Sequence, residues 1–355
     1  MIRITELRLA IDHAPEALEE AIVRFLKVTP KDVISFEVFK RSYDARKNVA
    51  LAFIYTVDVS VKDEAQVLTR FAGSVHVRPS PDTRYHFIAK APQKLEQRPV
   101  VIGFGPCGIF AALLLAQMGF KPIVLERGKA VRERTQDTWG LWRKSTLNPE
   151  SNVQFGEGGA GTFSDGKLWS QVKDPKFYGR KVLHEFVKAG APEEILYVAK
   201  PHIGTFRLVG VVEKMRQEII ALGGEIRFSQ KVTGFDIENQ QIRGVRLENG
   251  EHIVADKVIL ALGHSARDTF QALHDAGVYL EAKPFSIGFR IEHPQSMIDK
   301  ARLGPHAGNP LIGAADYKLV HHAKNGRSVY SFCMCPGGTV VAATSEPNRV
   351  VTNGM

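Results

Sequence analysis

The chain has 355 residues, 44% of them hydrophobic and 24% charged, the composition of a globular protein with a real core and room for two or three domains. Disorder, collagen and coiled coil are excluded as overall descriptions, and the longest apolar run, Ile109 to Ala116, is far short of the roughly 20 residues a membrane helix needs. The 47 basic against 38 acidic residues leave a net charge of +9, which favours anionic ligands without choosing among phosphates, acidic substrates and nucleic acid.

Residues 1–90 read as a small α+β module. Ile2, Ile4, Leu7 and Leu9 predict a first strand, and Pro15 to Leu26 has apolar residues at helical spacing. Val33–Phe39 and Val49–Val59 are rich in β-branched and aromatic residues and predict two strands. The basic, polar stretch Lys40 to Lys47 between them is expected as a hairpin loop. Asp63 to Phe71 predicts a second helix. Residues 91–99 contain two prolines and read as a linker.

From Val100 the pattern changes. Val100-Val101-Ile102 is a short buried strand that runs into Gly103-Phe104-Gly105-Pro106-Cys107-Gly108. An apolar helix follows to about Met118, stopped by Gly119, and Pro122 to Glu126 is the next strand. This β-α-β unit predicts parallel strands and a right-handed crossover. A glycine-rich, helix-rich stretch runs to about 200, then a helix over 210–221 and a strand over 225–228. Short strands and turns fill 232–262. Residues 100–280 are thus expected as a Rossmann-like nucleotide-binding domain, and 281–355 as a partial, β-rich substrate domain. The fold class is α/β.

Gly-x-Gly-x-x-Gly is a weak pattern alone, but here it follows a strand, opens a helix and has an acidic residue ending the second strand. Gly103 permits the tight turn, Gly105 lets the backbone approach a pyrophosphate, and Gly108 lets helix and strand pack closely. The helix N-terminus offers free N–H groups to phosphates. Glu126, 18 residues after Gly108, is placed to accept ribose hydroxyls and would repel a 2′-phosphate. Cys107, inside this loop, reads either as a thiol activated by the helix end or as a small residue beside the ligand. Arg127, Arg132 and Arg134 read as partners for adenine or phosphate, with a solvated basic face as the alternative for Arg132 and Arg134.

A second glycine cluster separates FAD from NAD. Residues 156–166 hold five glycines, flanked by Phe155 and Phe163, which suggests main chain packed against a flat or anionic ligand. An ordinary NAD-dependent dehydrogenase has no need of it; a cofactor extending beyond its pyrophosphate does. A third segment, Val258 to Ser265, is an apolar strand ending at Gly263, which suits another close approach to the nucleotide. His264 and Arg267 follow it.

These phrases resemble a bacterial FAD-dependent dehydrogenase (oxidoreductase) family with a glutathione-reductase-type FAD domain and a small N-terminal α/β module. The resemblance rests on Val101–Gly108, Leu125–Gly128, Asn152–Lys167, Leu260–Asp268 and Ser331–Gly338 and covers essentially the whole chain. It implies FAD held by Gly103, Gly105, Pro106 and Gly108 at the pyrophosphate. Glu126 would serve the adenosine ribose, with the cofactor contact Arg127 beside it, and Val232 main chain the adenine. Gly159, Ala160, Gly161 and Thr162 would lie on the flavin side, with Gly263 also close. The implied activity is hydride transfer between flavin and a small-molecule substrate.

The candidates for chemistry are Cys333 and Cys335 in Cys-Met-Cys-Pro-Gly-Gly. They read as a redox pair, as metal ligands with His321 and His322, or as a structural turn approaching the flavin; no metal is expected. His293 reads as an acid/base or as a packing residue. No second Gly-x-Gly-x-x-Gly stands between a predicted strand and a predicted helix, the match at Gly156, Gly158 and Gly161 lying inside the glycine cluster, so either the substrate reduces the flavin or NAD(P)H docks transiently. An alternative function has the basic N-terminal module, with Arg41, Arg46 and Lys47, binding nucleic acid while FAD is structural or sensory; no aromatic-interleaved RNA motif supports it. The start, Met1 to Glu6, lacks the layout of a signal peptide, and a cytoplasmic protein is expected. The three cysteines argue against a disulfide framework. No late strand with Gly-Asp and helix returns to the nucleotide fold, so a C-terminally truncated product is expected, with the flavin half of the site incomplete.

Overall fold

The computed structural model describes residues 1–355 apart from Lys47, Asn48, Val49, Asp165, Ser170, Gln171 and Cys333. The chain opens with strand β1 (Ile2–Ala10), helix α1 (Ala17–Leu26), strands β2 (Val33–Asp44) and β3 (Ala52–Val61), helix α2 (Glu64–Arg70) and strand β4 (Val77–Pro79). The strands pair antiparallel in the order β2-β3-β1-β4, a ferredoxin-like split βαβ arrangement. Strand alternation sorts the side chains. Ile2, Ile4, Val57 and Val59 share a core with Ile22, Leu26 and Val67 from the two helices. On the other face Arg3 sits opposite Asp58 and donates two 2.7 Å hydrogen bonds to its carboxylate. Both are buried. The Ser80 hydroxyl adds a third bond to Asp58, and the Arg3 guanidinium lies 3.5 Å from the centre of the Phe39 ring.

The stretch from Lys40 is not the loop its polarity predicts: β2 continues to Asp44. β3 pairs with it from Lys40 opposite Thr56 to Asp44 opposite Ala52, and partners far away in sequence add a second set of bonds. Arg41 N–H donates to the Tyr197 carbonyl at 2.6 Å, and the Arg41 carbonyl accepts from Ala199 N–H at 2.9 Å. Its guanidinium covers the rings of Phe53 and Tyr197. β4, which a single short apolar residue pair did not announce, completes the sheet.

The central unit begins with β5 (Val100–Ile102), α3 (Pro106–Gln117), β6 (Ile123–Leu125), α4 (Val131–Lys144), α5 (Tyr178–Lys188), α6 (Thr205–Ala221) and β7 (Glu225–Arg227). An antiparallel ribbon of β8 (Val232–Glu238), β9 (Gln241–Leu247) and β10 (His252–Val254) follows, then β11 (Val258–Leu260) and α7 (Arg267–Asp275). β11, β5, β6 and β7 form one parallel sheet in that order. The chain therefore folds as an α/β protein with a Rossmann-like parallel sheet. α3 is apolar around most of its circumference, as a buried helix must be. Ile109, Ala112, Leu113 and Ala116 pack in one core with Val211, Val212, Met215 and Ile219 of α6.

The last segment holds helix α8 (Gln295–Leu303), which the strand-like reading of 281–355 omitted. It also holds two short ribbons, β12 (Val320–His322) with β13 (Ser328–Tyr330) and β14 (Val340–Ala342) with β15 (Thr352–Gly354). The second ribbon is anchored on the central unit. Trp142 Nε1 donates to the Ala342 carbonyl at 2.7 Å and Gln154 Nε2 to the Ala343 carbonyl at 2.9 Å. Phe285, Ile287, Phe289 and Ile291 alternate along the segment before α8 and are all exposed.

Candidate dinucleotide-binding site

A cleft of about 330 Å³ opens at the carboxyl ends of β5, β6 and β11, the edge where nucleotides bind in open parallel sheets. Gly103 turns the chain there with φ +97°, and a Cβ on it would lie 2.4 Å from the Ala261 carbonyl oxygen. Gly105 faces the cleft. A Cβ there would have only Gly159 within 4 Å, its Cα at 3.5 Å, so a side chain would enter the space itself. Pro106 and Cys107 open α3 at the cleft wall, where the first-turn N–H groups have no intrahelical acceptor. Gly108 is not a wall residue. A Cβ on it would collide with the Gly103 carbonyl at 1.9 Å, so it serves helix–strand packing.

Glu126, buried, ends β6. One carboxylate oxygen accepts the Phe104 N–H at 2.7 Å. The other accepts Gly128 N–H at 2.8 Å and Gly156 N–H at 2.9 Å. Three of roughly four lone-pair sites are thus taken by main chain, and the residue ties the first glycine loop to the second while still lining the cleft. Gly159, Ala160 and Gly161 form the opposing wall, and Val232 with Gln230 and Lys231 the far end. Gly263, His264 and Ser265 close the third side.

Arg127 also lines the cleft, but its guanidinium is spoken for. It bonds Glu150 at 2.7 Å and both carboxylate oxygens of Asp268 at 2.8 and 2.9 Å, and stacks 4.2 Å over Phe155. Lys231 reaches the same two acids at 3.1 Å each. Burial works against these charges. The ion pairs outweigh it, raising Arg127 and Lys231 and lowering Asp268 and Glu150 relative to their ordinary values. Arg132 is exposed and pairs with Glu213.

Arg134 is fully buried and does not reach the cleft. It donates to the carbonyls of Asn152, Val153 and Glu157 at 2.6 to 2.7 Å. Burial lowers its pKa to about 10. Thr162, expected on the ligand side, is instead turned into the same interior: its hydroxyl donates to the Glu157 carbonyl and accepts from Arg134. Arg267 points away from the cleft and pairs with Glu346. His293 contacts the Tyr317 hydroxyl. Cys335 lies at the β14–β15 ribbon, with Sγ 4.0 Å from the Gly354 carbonyl oxygen, and is not a cleft residue. Cys333 lies outside the described residues. Sequence reasoning missed Gln154, Phe155, Gln230 and Thr269 as wall residues; only Gln154 and Phe155, beside the glycine cluster, carried any signal.

A parallel sheet with a glycine turn, a carboxylate at the next strand end and a cleft between them defines a dinucleotide-binding protein. The chain belongs to the pyridine nucleotide-disulphide oxidoreductase family, whose model matches residues 97–282, just over half its length. Residues 284–355 match the FAD-dependent protein, C-terminal domain-like model, and 1–60 match a domain of unknown function, DUF8436. By these matches the chain is kin to FAD-dependent oxidoreductases. An uncharacterised protein of Clostridium beijerinckii is 44% identical over all 355 residues, and the chain spans 66% of that relative's length. Among solved structures, glycine oxidase from Bacillus cereus is 15% identical, with 52% of this chain and 59% of that one covered and a TM-score of 0.33. L-amino acid deaminase from Proteus vulgaris is 16% identical, with 54% and 60% covered and a TM-score of 0.34. Among the described residues no helix is long and apolar enough to cross a membrane.

Proposed function

We propose that the cleft binds FAD and that the protein is an oxidoreductase exchanging a hydride between the flavin and a small molecule. The observation that carries this reading is the meeting of both glycine segments in one cleft, with Gly105 facing Gly159 and Glu126 bonded to each segment. FAD fits these residues. Gly105 and the start of α3 would receive the pyrophosphate, Glu126 the ribose through its remaining lone pair, and Val232 main chain the adenine. Gly159 to Gly161 and Gly263 would flank the part beyond. Arg127 would act here through its ring stack and its ion pairs. Bound flavin supplies the hydride chemistry; the chain holds it, orients it and walls its sides. NAD(P)H is a candidate transient reductant, and no catalytic side chain is assigned.

We read residues 1–90, 100–280 and 281–355 as three units, the first two joined by the 91–99 linker; the family-model matches at 1–60 and 284–355 fall within these bounds, and the match at 97–282 overruns the middle unit at both ends. We place the protein in the cytoplasm on the same reading. No observation favours the nucleic-acid alternative: Arg41 is packed against Phe53 and Tyr197, and Arg46 is paired with Asp44. The test is the visible spectrum of the purified protein with added FAD after removal of free ligand. Retained flavin absorbance supports the reading, and its absence with FAD in excess overturns it. Anaerobic bleaching by NADH or NADPH then identifies the reductant.

A further inference from the structure

Arg134 has no role in binding by contact, yet it is a large side chain shut entirely from solvent. Its acceptors are the Asn152, Val153 and Glu157 carbonyls and the Thr162 hydroxyl, all within one stretch of 11 residues. The guanidinium lies 4.8 Å from the Phe163 ring centre. Gly156, with φ +118°, wraps directly around it; a Cβ there would sit 2.4 Å from Arg134 Cδ. The stretch therefore turns its carbonyls inward to one cation. Its amides go outward: Gly156 to Glu126, Glu157 to the Lys129 carbonyl and Gly158 to the Phe104 carbonyl. Glu157 adds a brace, its carboxylate accepting Val131 N–H at the start of α4 and Arg216 from α6.

We propose that Arg134 is a positioning residue: it is the internal template on which the 152–163 segment folds before any ligand enters, so that the Gly159–Gly161 wall of the cleft is preformed. The planar fork matters, because three carbonyls in different directions need donors fixed in one plane, which a lysine ammonium on a flexible stem does not supply.

The test is hydrogen exchange on the ligand-free protein, comparing the wild type with Arg134→Lys. The amides of Gly156, Glu157 and Gly158 should exchange at least about tenfold faster in the variant, while those of β5, β6 and β11 keep their rates. Unchanged protection in 152–163, or an equal loss throughout the sheet, overturns the proposal. Thr162→Val, which removes one acceptor and keeps the shape, should give the same local pattern more weakly, and it decides the matter if Arg134→Lys does not fold. A ligand readout follows: FAD affinity should fall about tenfold in Arg134→Lys and ADP affinity by less than about twofold. Parallel loss of both contradicts the template role. This second readout rests on the FAD reading above, whereas the exchange readout does not. A wild type that ignores FAD but shows the exchange pattern would sink the function and leave the template standing.

Discussion

At the scale of single residues, Glu126 carries two duties. Its position after the second strand was legible, because the proposed ribose contact needs an acid ending that strand. Its three main-chain bonds were not, since two of their donors, Phe104 and Gly156, come from loops whose approach depends on the fold. Glu126→Ala should therefore weaken FAD binding by about 1–3 kcal/mol for the lost charge-assisted bonds and also lower the unfolding midpoint of the ligand-free protein. Isothermal titration and urea unfolding separate the two effects; an unaltered midpoint would contradict the tie between the glycine loops. Arg134 shows the opposite case. Nothing in Arg132-Glu133-Arg134 distinguishes an exposed Arg132 from a buried Arg134, because the acceptors that bury the latter are carbonyls, which every residue has. Thr162 was misplaced for the same reason.

At the scale of elements, periodicity marked β1, α1, α3 and β6 well because each buries an apolar face or core against its neighbours. It failed where a polar segment still pairs as a strand, as in the second half of β2, and where an amphipathic helix is short, as in α8. The face of the small sheet away from its helices rests on the Arg3–Asp58 pair. Arg3→Met should cost about 3–5 kcal/mol, because Asp58 is left buried without its counter-ion. Arg3→Met with Asp58→Leu should recover most of that loss in the same denaturant titration. A second network joins β6, β8 and α7 through Arg127, Glu150, Lys231 and Asp268. Asp268 and Glu150 titrate below their ordinary range in the fold, so the unfolded chain binds their protons first. Their contribution is complete above about pH 4 and is lost as pH falls through the folded values. Lys231, raised, contributes below about pH 10 and loses its share above it. Asp268→Asn should flatten the acid side of the curve of unfolding midpoint against pH; an unchanged acid limb would remove the network from the account.

At the scale of the whole molecule, the α/β class and the nucleotide half were legible because a few glycines and one acid are forced by backbone geometry. The last segment was less so. Its alternating Phe285, Ile287, Phe289 and Ile291 stand exposed, and the chain spans 66% of its Clostridium relative. How the first sheet meets the rest was invisible in the sequence, because part of the joint is made by main chain. Arg41 gives its N–H to Tyr197 and takes one from Ala199. The hydrogen bonds of such a bridge are indifferent to which side chains it carries, although the Arg41 side chain also stacks on Tyr197 across it. It has one weakness, the imino acid. Arg41→Pro removes the donor outright and should loosen the seam, seen as new protease cleavage near residues 80–99, while Arg41→Gln should leave that stretch intact. Evolution at these main-chain bonds is then expected to be permissive in every letter of the alphabet but one.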